Sequence, residues 1–169
     1  MNDEIFINAF DSIDEILSID IDAKSNSVRR VLTSDKVEDW EKAEKCYEQI
    51  RQDFDDVEII AANLSKSPRI VNRVKDHIFI REHQIVIDDV TEFRRLDADP
   101  EIVNCWSRLC MGDYVGEDLK LFLHEQVESI IEIRLKVSQT VAHLKTIQLG
   151  YDWNPDEAYH GNSSDSQTG

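Results

Sequence analysis

The chain has 169 residues, of which 41% are hydrophobic and 32% are charged, a balance that excludes a wholly disordered chain and a membrane protein. Its 35 acidic and 19 basic residues give a formal net charge of −16, which argues against nucleic acid as a partner because phosphate backbones are repelled. No apolar run approaches the roughly 18 residues of a membrane-spanning helix, and the first residues lack the basic segment of a signal peptide. A cytoplasmic protein with no membrane association is therefore expected.

The first part of the chain, residues 1–54, is predicted to be an acidic helical hairpin. Apolar residues spaced three and four apart from Ile5 to Leu17 indicate its first helix. The second helix is predicted to begin at Asp35, which has capping-box spacing with Glu38. The acidic side chains of the hairpin cluster away from the following helical domain. The hairpin is therefore a candidate surface for a protein partner with a basic face.

A helical domain is predicted over residues 55–158. It begins with two short helices at 57–64 and 69–79, which are joined by a tight turn, and Pro68 suits the first turn of the second helix. Two short helices joined in this way resemble a helix-turn-helix, but they are also a common packing unit. The negative net charge favours the packing unit over DNA binding.

One strand and two more helices are expected next. Residues 83–88 alternate between apolar and polar side chains, and any β element is confined to about residues 78–90. A helix at 98–110 is followed by the longest helical pattern, at 118–148. A helix of that length would span about 45 Å, which is longer than a small domain is wide, so a break is predicted near residues 136–138.

The predicted fold class is therefore mainly α, with at most a small β element, preceded by the N-terminal helical hairpin. The polar residues 159–169 are predicted to be a disordered tail. Three cysteines are too few and too irregularly spaced for a disulfide framework, so free thiols are expected at Cys46, Cys105 and Cys110.

The candidate site centres on the long helix. His124 and Glu128 are one helical turn apart and face the same way, and His143 returns to them if the helix breaks. Two histidines and a carboxylate are suitable ligands for Zn²⁺ or a similar divalent metal, which makes these three residues candidate metal ligands. Without a metal, Glu125 or Glu128 beside His124 can form a general acid–base pair. The remaining alternative is a hydrogen-bonded pair with a structural role only.

Two further histidines, His77 and His83, flank a segment in which apolar and polar residues alternate. On an extended chain, residues six apart lie on one face, so this pair can join a site, although a histidine satisfied within the core is the alternative. The candidate catalytic residues are therefore His77, His124, Glu125, Glu128 and His143.

A series of segments within residues 57–155 resembles a known domain by its order and spacing. The segments are Val74–Phe79, His83, Arg94–Pro100, Ile102–Gly112, Asp118, Leu121, His124-Glu125, Glu128, Ala142-His143, Gly150 and Trp153–Pro155. In this order they resemble the C-terminal domain of bacterial polymorphic toxins and of some phage minor-head proteins. The resemblance implies a delivered effector, or a domesticated or inactive relative of one, and it implies no settled reaction or substrate.

Two functions from different classes follow from these patterns. The first is a bacterial or phage toxin-like effector domain that acts as a hydrolase through a His/Glu site. The second is an acidic non-enzymatic binding protein, such as an inhibitor, an immunity protein or an adaptor, which covers the basic surface of a partner. Whether the chain is an enzyme stays open from the sequence, and convergence of the histidines and glutamates around one point is the observation that discriminates the two.

Overall fold

The computed structural model describes residues 28–88 and 90–159. The first helix of the predicted N-terminal hairpin and the predicted tail from residue 160 onward lie outside these residues. Within the described part of the chain, six α-helices and one two-stranded antiparallel sheet give a mainly α fold, as predicted. None of the helices in these two ranges is long and apolar enough to cross a membrane.

The helices and strands follow one another with short connections. The α-helices are α1 (Val37–Gln52), α2 (Asp56–Leu64), α3 (Pro68–Lys75), α4 (Pro100–Met111), α5 (Gly116–Leu135) and α6 (Gln139–Gln148). A π-helix at Asp76–Ile80 continues α3, and a 3₁₀ turn at Pro155–Ala158 comes last. Strands β1 (His83–Ile87) and β2 (Val90–Arg94) pair in antiparallel register, with His83 opposite Arg94.

The main core lies between α1, α2, α3, α4 and the first half of α5. It is built around large apolar side chains that are almost fully buried, namely Tyr47, Ile60, Phe79, Trp106 and Phe122. The ring of Phe79 contacts those of Tyr47 and Trp106 edge-to-face, with centroids 4.7 and 5.0 Å apart. These contacts fix the π-helix, which carries Phe79, against α1 and α4. All three cysteines, Cys46, Cys105 and Cys110, are free thiols, as predicted.

The break predicted in the long helix is present. The helix α5 ends at Leu135, and Lys136 adopts the left-handed conformation with φ 52° and ψ 47°. The helix α6 then begins at Gln139, with Ser138 as its N-cap residue. A smaller cluster of buried apolar residues holds α6 against α5, and its members are Val127, Ile131 and Ala142. The break therefore turns the chain back on itself and carries α6 alongside α5.

We expect the N-cap of α6 to matter for stability. The Ser138 side chain accepts a hydrogen bond from the backbone N–H of Val141 at 3.4 Å, so Ser138→Ala leaves that N–H without its partner. The substitution is expected to lower the free energy of unfolding by about 0.5–2 kcal/mol, measured by urea denaturation. The matched control is Ser138→Thr, which keeps a hydroxyl acceptor and should stay close to the wild type. Equal losses in both variants would contradict a capping role.

The predicted start of α1 is wrong. The helix begins at Val37 rather than at Asp35, and its N-cap residue, Lys36, makes no side-chain cap hydrogen bond. The Asp35 carboxylate instead accepts a hydrogen bond from the Thr33 hydroxyl at 3.3 Å. Asp39, which is buried, accepts the backbone N–H of Thr33 at 3.0 Å and so holds the entering chain over the first turn of the helix.

The limits predicted for the β element also need correction. The alternating segment before His83 is helical as far as Ile80, where the π-helix ends, and the sheet extends beyond residue 90 to Arg94. The backbone N–H of Arg81 donates to the carbonyl of Asp76 at 2.8 Å, which is a π-type hydrogen bond. Strand β2 is exposed along nearly its whole length, so its side chains carry no periodic core pattern from which it could be recognised.

Candidate metal centre

The structure brings together all five predicted site residues where α5 meets the π-helix and α6. His124, Glu125 and Glu128 lie on α5, His77 lies on the π-helix, and His143 lies on α6. The centre is largely buried, because the side chain of His77 is inaccessible and that of Glu128 is 2% exposed. His143 is the exception, with 44% of its side chain exposed, so the centre opens to solvent on the side of α6.

Three of these residues, which we call the His124 cluster, place their ligand atoms around one point: His124, Glu128 and His143. Glu128 Oε2 lies 3.2 Å from His124 Nε2 and 2.8 Å from His143 Nδ1, and the two nitrogens are 3.1 Å apart. Ligands of a tetrahedral zinc ion, at bond lengths of about 2.0–2.1 Å, lie about 3.3 Å from one another. The triangle formed by the cluster is therefore close to one face of such a tetrahedron.

The ring of His124 is held in the orientation that a metal ligand needs. Its Nδ1 contacts the backbone carbonyl of Tyr151, and since a carbonyl oxygen can only accept, Nδ1–H is the donor. In a neutral ring this leaves Nε2 unprotonated and directed at Glu128 Oε2 and His143 Nδ1. A histidine ligand that donates its second N–H to a backbone carbonyl is the arrangement commonly found at metal sites.

Glu128 is oriented in the same manner. Its Oε1 accepts hydrogen bonds from Gln139 Nε2 at 3.0 Å and from His77 Nε2 at 3.3 Å, which leaves Oε2 for the two histidines of the His124 cluster. Burial acts to raise the pKa of the Glu128 carboxyl, but the three surrounding imidazoles, His124, His143 and His77, outweigh it and hold that pKa well below its usual range. Glu128 is therefore a carboxylate.

A proton is the alternative occupant of the His124 cluster. The hydrogen bond to Glu128 raises the pKa of the His143 ring, which favours an imidazolium that balances the carboxylate. A divalent cation at the same point has to displace this proton, because a ring nitrogen binds metal only when it is unprotonated. The geometry accommodates either occupant, and binding experiments on metal-free protein distinguish them.

Glu125 lies beside the His124 cluster rather than within it. Its Oε2 is 3.6 Å from His77 Nε2 and has no hydrogen-bond partner within the described residues. Burial, together with the charges of Glu128 and Asp99, raises the pKa of the Glu125 carboxyl well above its usual range. Glu125 therefore contributes a carboxyl group that holds its proton more firmly than an ordinary glutamate does.

His77 lies between two carboxylates and is fully buried. Its Nε2 is 3.3 Å from Glu128 Oε1, and its Nδ1 is 3.5 Å from Glu132 Oε2. Burial lowers the pKa of the His77 ring despite the hydrogen bond to Glu128, so the ring is neutral. A neutral ring has a single N–H, and only one of the two carboxylates can receive it.

Three residues near this centre were not among the predicted site residues: His83, Glu132 and Gln139. Glu132 had a usable signal, because Glu125, Glu128 and Glu132 recur at spacings of three and four along one helix. His83 was predicted to share an extended face with His77, which is wrong because His77 is helical, yet the two rings still meet edge-to-face with centroids 4.7 Å apart. Gln139 reaches Glu128 across the helix break, and no local pattern indicates such a contact.

Comparison of this chain with protein-family models, with curated proteins and with solved structures finds no match.

Proposed function

We propose that this chain is a toxin-like effector domain with a metal-dependent hydrolase site at the His124 cluster. The observation that carries the proposal is the convergence of two histidine nitrogens and one carboxylate oxygen within 3.2 Å of one another. Two of these three ligands are already oriented by partners outside the cluster. Tyr151 holds His124, while Gln139 and His77 hold Glu128.

The ligand set and its exposure suit hydrolysis. Three protein ligands are the usual number at catalytic zinc sites, where the fourth position is left for water. His124, Glu128 and His143 would hold the cation, and the chemistry it would supply is activation of a water molecule as a nucleophile at neutral pH. The partly exposed His143 places this position at the edge of the fold, within reach of a substrate. The Glu125 carboxyl, whose pKa is raised by burial, lies next to the centre in a position suited to a proton donor.

The site residues also coincide with the segments that carry the resemblance to toxin domains. His124, Glu125, Glu128 and His143 all belong to those segments, as does His77. A residue set that converges in space and coincides with the resembling segments supports an effector activity at this centre. A toxin-like effector that acts inside a cell is expected to arrest growth when it is produced there.

We expect His143→Ala to remove both metal binding at the His124 cluster and toxicity. The side chain of His143 is 44% exposed, so its truncation should leave the core intact. The experiment loads chelator-stripped protein with Zn²⁺, measures hydrolysis of p-nitrophenyl acetate and bis(p-nitrophenyl) phosphate, and follows bacterial growth during expression. The expected result is loss of Zn²⁺-dependent hydrolysis and of growth arrest. The matched control is Gln148→Ala, an exposed position at the other end of the same helix, five residues beyond His143.

Two outcomes would contradict this function. One is a His143→Ala variant that binds Zn²⁺ and arrests growth as the wild type does. The other is a wild-type chain that binds no divalent cation and hydrolyses neither ester, which would leave the acidic binding protein as the function to examine.

A further inference from the structure

A second group of ligands lies on the other side of His77, away from the His124 cluster. It consists of His77 from the π-helix, His83 from the start of β1, and Glu132 from α5, and we call it the His83 cluster. One ligand atom from each residue lies within 4.8 Å of the other two. His83 Nδ1 is 2.9 Å from Glu132 Oε2, and His77 Nδ1 is 3.5 Å from the same oxygen.

The protonation of both rings is determined by their outer partners. His83 Nε2 lies 2.8 Å from the backbone carbonyl of His77, which can only accept, so His83 Nε2 carries a proton. His77 Nε2 lies 3.3 Å from Glu128 Oε1, which is closer than the 3.5 Å between His77 Nδ1 and Glu132 Oε2, and we assign the N–H of His77 to this shorter contact. A neutral His77 is therefore unprotonated at Nδ1, and so is His83 if its ring is neutral. The two lone pairs then face the carboxylate of Glu132.

The facing polar atoms of the His83 cluster are not all paired unless a positive charge lies between them. Both histidine side chains are completely buried, and His77 Nδ1 has no hydrogen-bond partner among the described residues. A proton on His83 Nδ1 would satisfy Glu132 but would still leave His77 Nδ1 unpaired, and an unpaired buried polar atom is costly. A divalent cation between the three residues satisfies every one of these atoms at once.

The backbone geometry around His77 gives independent support. Residues Asp76–Ile80 form a π-helix, a rare conformation that is frequently found at functional sites because it re-aims one side chain. Here it carries His77 to a position where its Nδ1 faces Glu132 and its Nε2 faces Glu128.

We propose that His77, His83 and Glu132 bind a second divalent cation, so that the chain holds a two-metal centre. Two imidazoles and one carboxylate suit Zn²⁺ or a similar transition metal. The His77 ring connects the two positions, because it is a ligand of the second cation and donates to Glu128, a ligand of the first. This inference goes beyond the proposed function, since the second site can exist whether or not the first one is hydrolytic.

The number of Zn²⁺ ions bound per chain tests the proposal. Chelator-stripped full-length protein is titrated with Zn²⁺ against a chromophoric chelator, and the metal content after desalting is measured by elemental analysis. The expected values are two ions for the wild type, one for Glu132→Gln, one for His143→Ala and none for the double variant. Glu132→Gln keeps the side-chain shape, and circular dichroism with thermal unfolding checks that each variant is folded.

Each result separates this inference from the proposed function. A wild type that binds one ion, which is lost in His143→Ala and kept in Glu132→Gln, overturns the second site and leaves the first. One ion that is kept in His143→Ala and lost in Glu132→Gln supports the second site and refutes the metal at the His124 cluster. A folded wild type that binds none overturns both.

Discussion

Replacing Glu128 with glutamine is expected to abolish Zn²⁺ binding and hydrolysis at the His124 cluster while the His83 cluster keeps its ion. The amide retains an oxygen that can accept from Gln139 and His77, as Glu128 Oε1 does. The other carboxylate oxygen, which faces His124 and His143, is replaced by an NH₂ group that cannot bind a cation. Because losing an outer partner of a ligand already costs about 10–100-fold in affinity, losing the ligand itself should cost more than about 100-fold.

Glu128→Ala provides the comparison that separates the two roles of this side chain. Alanine removes the ligand and also removes the acceptor that orients His77, so both clusters are expected to lose affinity. The second cluster should weaken by about 10–100-fold, because only an outer partner of its ligand is removed. Identical Zn²⁺ binding in the glutamine and alanine variants would show that His77 does not depend on Glu128 for its orientation.

Asp118→Ala is expected to cost about 3–5 kcal/mol of the free energy of unfolding. The Asp118 carboxylate accepts from the Arg108 guanidinium at 2.8 Å from Nε and 2.6 Å from the terminal nitrogen, and both residues are buried. It also accepts the backbone N–H of Val115 at 2.9 Å, where α5 begins. Removing one partner of a buried ion pair leaves the other charge uncompensated, which is the source of the large penalty.

Urea denaturation measures this loss, and an exposed ion pair on the same helix is the control. Lys120 pairs with Glu117 and Glu157, and 54% of its side chain is exposed. Lys120→Ala should therefore change the free energy of unfolding by no more than about 1 kcal/mol. Comparable losses in Asp118→Ala and Lys120→Ala would contradict the role assigned to burial.

The helices of the domain could be predicted because their apolar spacing reflects burial. The helix α2 occurs within one residue of its predicted limits. The helix predicted at 69–79 is α3 together with the π-helix that continues it to Ile80, and the break in the long helix occurs at Lys136. The existence of that break followed from length, since an unbroken helix would have extended beyond the domain, and its position followed from the weaker helix formers Val137, Ser138 and Thr140. The start of α1 was not predictable in the same way, because it depends on the buried carboxylate of Asp39 rather than on a capping residue.

The candidate site was only partly predictable, for a reason of geometry. His124 and Glu128 are one turn apart on a single helix, so their contact follows from helical periodicity. His143 joined them once the break was predicted. The contacts of His83 with Glu132 and of Gln139 with Glu128 depend on how separate elements pack against α5, and a single sequence carries no record of such packing.

The short connection between α5 and α6 determines where the chain can change length without disturbing the centre. Gln139 and His143 are one turn apart on α6, and both contact Glu128 on α5. An extra residue between Val137 and Ser138 lengthens the connection beyond the hydrogen bond that the Val137 N–H donates to the Glu132 carbonyl at 3.3 Å, so the end of α5 can stay intact. The same residue inserted between Gln139 and His143 rotates one of them by about 100° around the helix axis, away from Glu128. Insertions and deletions among descendants of this chain should therefore accumulate just before Ser138 and be absent between Gln139 and His143.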